Sequence, residues 1–486
     1  MKITQLNVFW LILAIIAATA PAIGVHAANK QARPNFVFIY ADDWRGDCLG
    51  VVQKEQGQKA RFPWLETPNL DKLAGSSTRF RNSFVVNSLC SPGRACVLTS
   101  TYNHLNGILG NGRPLPAGTI TFGNRLQDAG YNTGYCGKFH MDSQRERPGF
   151  DYVASFIGQG RYNDCPIIFN GKEIPTKGWV DDVSTDYAIK FINKQSKEKP
   201  FFVWLGFKSP HGPRGGPNLP ERVRDLYADK EARDVPSLDT PAIFNQNPDA
   251  AAGVNPRGDG RRHEGTRAYM SHITAIDGCI GRVLDALKES GHADNTIIMI
   301  ASDNGYYLGE HKLSDKRSAY EESLRVPLLI HLPASLAKGG TTSDDMALNI
   351  DYAPTILDFA GAKPLPETQG RSLRPILTGK TPDDWRKAFL YEYFKEPGFG
   401  SPTIVALRTE TEKLITYPGN DEWTEVYDIA SDPYELKNLV NDSSRLKKLR
   451  AQLDAASAAV KFRMPELPKE RERPKRGQRN RNRNAA

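Results

Sequence analysis

The sequence predicts an α/β protein, a large sheet flanked by helices with a smaller C-terminal α+β part. Three features carry this expectation: short apolar runs that recur along the chain, one long stretch of helical periodicity, and ionisable residues just past the end of each run. Length and composition permit it. The 486 residues, 39% apolar and 25% charged, suffice for one large domain with a smaller companion and exclude a fibrous or wholly disordered chain.

Taken in order, the first 27 residues read as an export signal. Lys2 supplies a positive start, Val8 to Ala20 the apolar run, and Val25-His26-Ala27 the small-residue cleavage site. The run is short for a membrane span and Pro21 interrupts its end, so cleavage is expected rather than a stable membrane anchor. The first strand-like run, Asn35 to Tyr40, is followed by Asp42-Asp43. Tyr131 to Cys136 leads into Lys138-Phe139-His140, Phe201 to Gly206 into Lys208-Ser209-Pro210-His211, and Thr296 to Ala301 into Asp303-Asn304. Three of the four runs are continuous enough for strands buried on both faces, and open α/β sheets bind ligands outside the carboxyl ends of their strands. Residues 213–265, rich in Pro, Gly and charge, read as a long surface excursion. Arg267 to Ser290 is the clearest helix, with Ile273, Ile276, Ile280, Val283, Leu284 and Leu287 at three- and four-residue steps and Gly291 as the stop. That stripe is core packing without chemistry.

The net charge of +8 is mostly a property of the end of the chain. Residues 469–486 hold eight Lys or Arg against two Glu, which is +6, and 466–486 read as a disordered, solvated basic tail. No nucleic-acid partner is expected. Six cysteines without a CxxC pair exclude a thiolate metal centre and a thioredoxin-type site, and leave one or two disulfides open. Asp42, Asp43, Asp303 and Asn304 are all oxygen donors, a set that suits calcium or magnesium far better than zinc.

The decisive segment is Cys90-Ser91-Pro92-Gly93-Arg94. Its C-x-P-x-R pattern resembles the signature of the type I, formylglycine-dependent sulfatases. The resemblance continues through Asn35-Phe36-Val37, Gly137-Lys138-Phe139-His140, Ser209-Pro210-His211, Ser302-Asp303-Asn304-Gly305 and Asp315-Lys316-Arg317. Near the end, Val426-Tyr427-Asp428 with Asp432-Pro433-Tyr434-Glu435 is similar to the pattern that opens the family's last helix. Gly93 is a departure, since the family more often has Ser or a similar small residue there. The stretches around Lys316, Arg325 to Ile330 and Asn349 to Thr355 resemble the branch that includes N-acetylglucosamine-6-sulfatases.

The resemblance implies an alkaline-phosphatase-like fold, with a catalytic domain over residues 34–365 and a C-terminal subdomain over 366–465 in which Arg408 comes into view as a sugar contact. It implies that a formylglycine-generating enzyme oxidises Cys90 to formylglycine (3-oxoalanine), whose hydrate attacks sulfur and forms a covalent sulfo-enzyme. It further implies that one calcium ion is held by Asp42, Asp43, Asp303, Asn304 and the modified Cys90. Arg94 would steady the hydrate, Lys138 and Lys316 would grip sulfate oxygens, His140 would hold or deprotonate the hydrate, and His211 would bind sulfate or protonate the leaving oxygen. A sulfate ester resists anionic attack, so such a site must neutralise charge while presenting a strong nucleophile. The expected substrate is a sulfated carbohydrate, such as a glycosaminoglycan, met in the periplasm or outside the cell. Two other functions remain compatible with these residues: a phosphodiesterase or phosphonate monoester hydrolase of the same superfamily, and a sulfated-glycan-binding protein without catalysis.

Overall fold

All four apolar runs become strands of one sheet in the computed structural model, which describes residues 33–245 and 259–467. The export-signal segment and nearly all of the basic tail lie outside the described residues. In chain order the strands of the first half are β1 (Asn35–Ala41), β2 (Ser77–Phe80), β3 (Ser83–Phe84), β4 (Asn132–Lys138), β5 (Tyr152–Phe156), β6 (Ile167–Phe169), β7 (Lys172–Ile174) and β8 (Phe201–Gly206). There follow β9 (Thr296–Ser302), β10 (Leu328–His331), β11 (Thr341–Ser343), β12 (Ala347–Leu348), β13 (Ala388–Tyr393), β14 (Ile404–Thr409), β15 (Glu412–Thr416) and β16 (Glu425–Asp428).

The large sheet has ten strands in the order β11-β2-β10-β9-β1-β8-β4-β5-β6-β7. It is mixed: β9, β1, β8, β4 and β5 run parallel, and β10 turns antiparallel against β9. Both faces are covered. Val37 and Ile39 pack with the helices Val180–Ile192 and Asp259–Glu289, whereas Phe36, Phe38 and Tyr40 face Phe122, Trp204 and Tyr352 on the other side. This is why β1, β8 and β9 are continuously apolar rather than alternating. Register then fixes the functional edge. Tyr40 lies opposite Gly206 and Ala301, and Gly137 opposite Gly206, so the residues that follow β1, β4, β8 and β9 emerge together.

Three expectations are adjusted. The helix begins at Asp259, earlier than its apolar stripe, because propagation costs little once an anchored segment has nucleated the helix. The excursion is packed rather than loose over its described part: single 3₁₀ turns bury Leu219, Val223, Tyr227, Val235, Leu238 and Phe244, and Tyr227 lies 4.7 Å from Trp64 between ring centres. All six cysteines are free and buried, so the disulfides left open do not form. No helix among the described residues is long and apolar enough to cross a membrane.

At the C-terminal end, β13-β14-β15-β16 form an antiparallel sheet backed by the helix Ser443–Ala459. Its core is shared with Phe84, Val86, Leu89, Tyr307 and Tyr320, which flank the segments carrying Cys90 and Lys316. Leu373, Ile376, Leu377 and Trp385, although C-terminal in sequence, pack in the core of the large sheet. Arg408 is buried and its Nε donates to Glu321 at 2.8 Å, so it ties the small sheet to the short helix Glu321–Leu324 rather than contacting a sugar.

The same junction brings buried His311 and Glu435 together with half-buried Glu322, their ligand atoms close together. This group does not suit a metal ion. Both oxygens of Glu435 are taken, by Lys413 at 2.7 Å and the Glu321 amide at 2.8 Å, and Arg45, Arg61, Arg325, Arg408 and Lys413 already supply positive charge. Burial, opposed by Arg45 and Arg61 and reinforced by Glu435, instead pushes the Glu322 carboxyl up to about 7. A protonated Glu322 places a donor opposite the unpartnered His311 Nε2, 4.0 Å away. Because this folded-state value is raised, the stabilisation is complete below about pH 4.5 and is lost as pH rises through 7, a swing of about 3 kcal/mol. Glu322→Gln is therefore expected to gain roughly 2–3 kcal/mol on wild type between about pH 5 and about pH 8. Denaturant unfolding at both pH values checks this, and a difference independent of pH counts against it.

Candidate active site

The site is built at the carboxyl edge of the sheet. Asp42 and Asp43 follow β1; Asp43 adopts a left-handed backbone (φ 69°), and its amide donates to Asp303 Oδ1 at 3.1 Å. Asp303 and Asn304 follow β9. His140, two residues past β4, has a left-handed backbone as well (φ 61°). Non-glycine residues enter that region at a cost, and such positions cluster where side chains must be aimed at a site.

Cys90 opens the helix Cys90–Thr99 and is fully buried. Its Sγ lies 3.1 Å from Asp42 Oδ1 and 3.2 Å from Lys316 Nζ. Burial, offset by Lys316, pushes the thiol up to about 12. One turn along, Arg94 donates from Nε to Asp303 Oδ2 at 3.0 Å and from a terminal nitrogen to the Lys138 carbonyl at 2.9 Å. It lies over the Tyr40 ring at 5.3 Å. Arg94 thus orients a carboxylate and locks the helix to two strand ends. Gly93 is explained by the same packing, since a Cβ there would stand 2.6 Å from the Asp303 carbonyl oxygen.

Asp42, Asp43 and Asp303 bring carboxylate oxygens within 4.8 Å of one another, and Asp42, Cys90 and His211 form a second such group. Lys138 pairs with Asp42, and Lys316 reaches Asp43 Oδ1 at 2.5 Å. Asn304 Nδ2 donates to Asp43 Oδ1 at 2.7 Å, while its Oδ1 is buried without a partner. An orphaned amide oxygen beside three carboxylates fits a hard divalent cation, because such oxygens are rarely left unsatisfied.

The two imidazoles complete the ring. Burial, with Lys138 next in effect, holds His140 and His211 well below the ordinary histidine range. The structure gathers all ten sequence-predicted residues into this one edge.

Four contributors had no role assigned from the sequence. Gln159 accepts from Lys138 Nζ at 2.6 Å through its side chain and from Lys208 Nζ at 3.0 Å through its carbonyl. Lys208, flagged in sequence only as a neighbour, is buried, which lowers it to about 8. Asp181 accepts from the amides of Lys208 at 2.7 Å and Ser209 at 3.1 Å and so sets the His211 loop. Arg214 approaches Asp43 to 3.7 Å while lying over the Tyr306 ring at 4.0 Å. Asp181 sits in a helix's first turn, where an acid is ordinary, and Gln159 and Arg214 sit in loops whose paths no periodicity predicts.

The family described as Sulfatase matches residues 34–362, and that described as N-sulphoglucosamine sulphohydrolase, C-terminal, matches 309–461. The chain is 32% identical to an N-acetylglucosamine-6-O-sulfatase of Bacteroides thetaiotaomicron, over 97% of this chain and 94% of that protein. It is 29% identical to an ulvan-active sulfatase of Formosa agariphila, over 94% and 86%. A solved structure in complex with D-glucosamine-2-N,6-O-disulfate superposes with a TM-score of 0.79 at 31% identity, covering 88% of this chain and 98% of the other.

Proposed function

This chain belongs to the sulfatase family, and from that premise we propose that it removes the 6-sulfate of glucosamine units in a sulfated carbohydrate, using one calcium ion and a formylglycine made from Cys90. The observation that carries the reading is Cys90 buried at a helix start between Asp42 and Lys316, where charge neutralisation and a nucleophile meet. The substrate class rests on the relatives named N-acetylglucosamine-6-sulfatases and on the glucosamine disulfate complex.

Asp42, Asp43, Asp303, Asn304 and the modified Cys90 hold the calcium, which supplies a compact positive charge beside the reacting sulfate. Formylglycine supplies a hydrated aldehyde, whose two hydroxyls provide a nucleophile and a route for expelling sulfate without water attack on sulfur. Arg94 keeps Asp303 aimed inward. Lys138 and Lys316 take sulfate oxygens, a charge-neutralising role that their burial strengthens. His140 accepts a proton from the attacking hydroxyl. His211 Nδ1 is tied to the Gly212 carbonyl at 2.7 Å, which leaves Nε2 to face the leaving oxygen. Because Cys90 is wholly enclosed, its conversion by a formylglycine-generating enzyme precedes folding, and residues 1–27 direct the chain to the periplasm or beyond.

The test is sulfate release from a panel of sulfated sugars by protein whose Cys90 peptide is shown by mass spectrometry to be formylglycine. Release from N-acetylglucosamine 6-sulfate or its oligosaccharides is expected. Turnover of phosphate diesters or phosphonate monoesters in preference would replace the reading, and glycan binding without release would leave only a binding protein.

A further inference from the structure

Among the described residues, Phe399 is the one aromatic in the set of exposed large hydrophobic side chains, 44% exposed. Its position is not accidental to the site. Cys90 leads to Ser91, whose amide donates to Asn111 Oδ1 at 3.0 Å; the Asn111 amide donates to Glu396 Oε1 at 2.7 Å. Glu396 Oε2 accepts from Arg317 Nε at 2.7 Å, and Arg317 follows Lys316, whose Nζ returns to Cys90 Sγ at 3.2 Å. This closed circuit joins the nucleophile's helix, a loop and the strand connection β13–β14. Phe399 lies on it, its ring 3.5 Å from the Arg317 guanidinium.

Arg317 is not a free anion receptor. Asp315 takes it at 2.8 and 2.9 Å and Glu396 at 2.7 Å, so its charge is compensated. What it offers is a flat support under the phenyl ring. Gly398 has φ 90° and Gly400 follows, so the half-exposed ring stands between two glycines against the guanidinium. A rigid ring packed on the guanidinium and left half-exposed offers contact area at little entropic cost.

Resting on the sulfated-sugar reading above, we infer that Phe399 is the platform for the sugar unit next to the one whose sulfate is removed. The sulfated unit belongs over Cys90; Phe399 packs on Arg317, the residue that follows Lys316. Its ligand is the C–H face of a pyranose, met by an aromatic face, with sulfate recognition left to the inner lysines.

The experiment compares a 6-sulfated disaccharide with the corresponding 6-sulfated monosaccharide, both as kcat/KM with formylglycine-bearing enzyme and as Kd by calorimetry on a Cys90→Ala background. Wild type is expected to favour the disaccharide, and Phe399→Ala to reduce that preference about tenfold, chiefly through KM, with Phe399→Trp restoring it. A preference unchanged in Phe399→Ala, or absent from the wild type, overturns the platform. The binding arm keeps the two ideas apart: no sulfate release from any sugar by converted enzyme defeats the proposed reaction, while the calorimetric preference still decides for or against Phe399.

Discussion

Cys90→Ala is expected to lower sulfate release by at least about 10³-fold while the protein still folds. In the proposed reaction this side chain carries the attacking hydroxyl, and Asp42 at 3.1 Å and Lys316 at 3.2 Å are arranged around its Sγ. Neighbouring polar groups cannot take its place. Ser91 Oγ is committed to the His140 carbonyl at 2.5 Å, and Ser88 Oγ to the Ser323 carbonyl at 3.2 Å. Loss of one buried sulfur atom costs roughly 1–2 kcal/mol in packing, too little to unfold a chain with this much core. Wild-type protein made without the maturation enzyme should behave as the alanine variant does. The measurement is sulfate release beside thermal unfolding; retention of a tenth or more of activity in a folded alanine variant would remove Cys90 from the mechanism.

The parts of this molecule that were legible in sequence are those whose physics is local. A strand buried on both faces must be apolar throughout, so β1, β8 and β9 announced themselves, and the residues just past them could be paired with a site because parallel register brings strand ends together. Gly93 reads in sequence only as a departure, because the Asp303 carbonyl packed against it is remote along the chain. The supports of the site were not readable, because their partners are remote: Asp181 serves a loop 27 residues away, Glu396 a loop 285 residues away. Arg408 shows the converse. A basic residue in the smaller sheet suggested a ligand, yet burial beside Glu321 decides for structure.

Lys138→Met is expected to have opposite effects on two properties, which makes it the sharper test of the charge arrangement. Lys138 pairs with Asp42, and Lys316 pairs with Asp43. If Asp42 and Asp43 are cation ligands, these ammonium groups compete with the cation for the same oxygens and are released toward sulfate once it binds. Removing Lys138 strips one competitor, so calcium should bind about tenfold tighter. The same change removes a sulfate contact, so kcat/KM should fall by about 10²–10³-fold. The calcium-free variant, left with a buried Asp42 relieved of its partner, should lose roughly 3–5 kcal/mol of stability, and saturating calcium should restore most of it. Calorimetric titration of the chelator-stripped proteins and thermal unfolding with and without calcium read these terms independently of turnover. Weaker calcium binding by Lys138→Met would mean that the lysine supports the cation rather than competing with it, and Asp42 would then have to be reassigned as a partner of Lys138 alone.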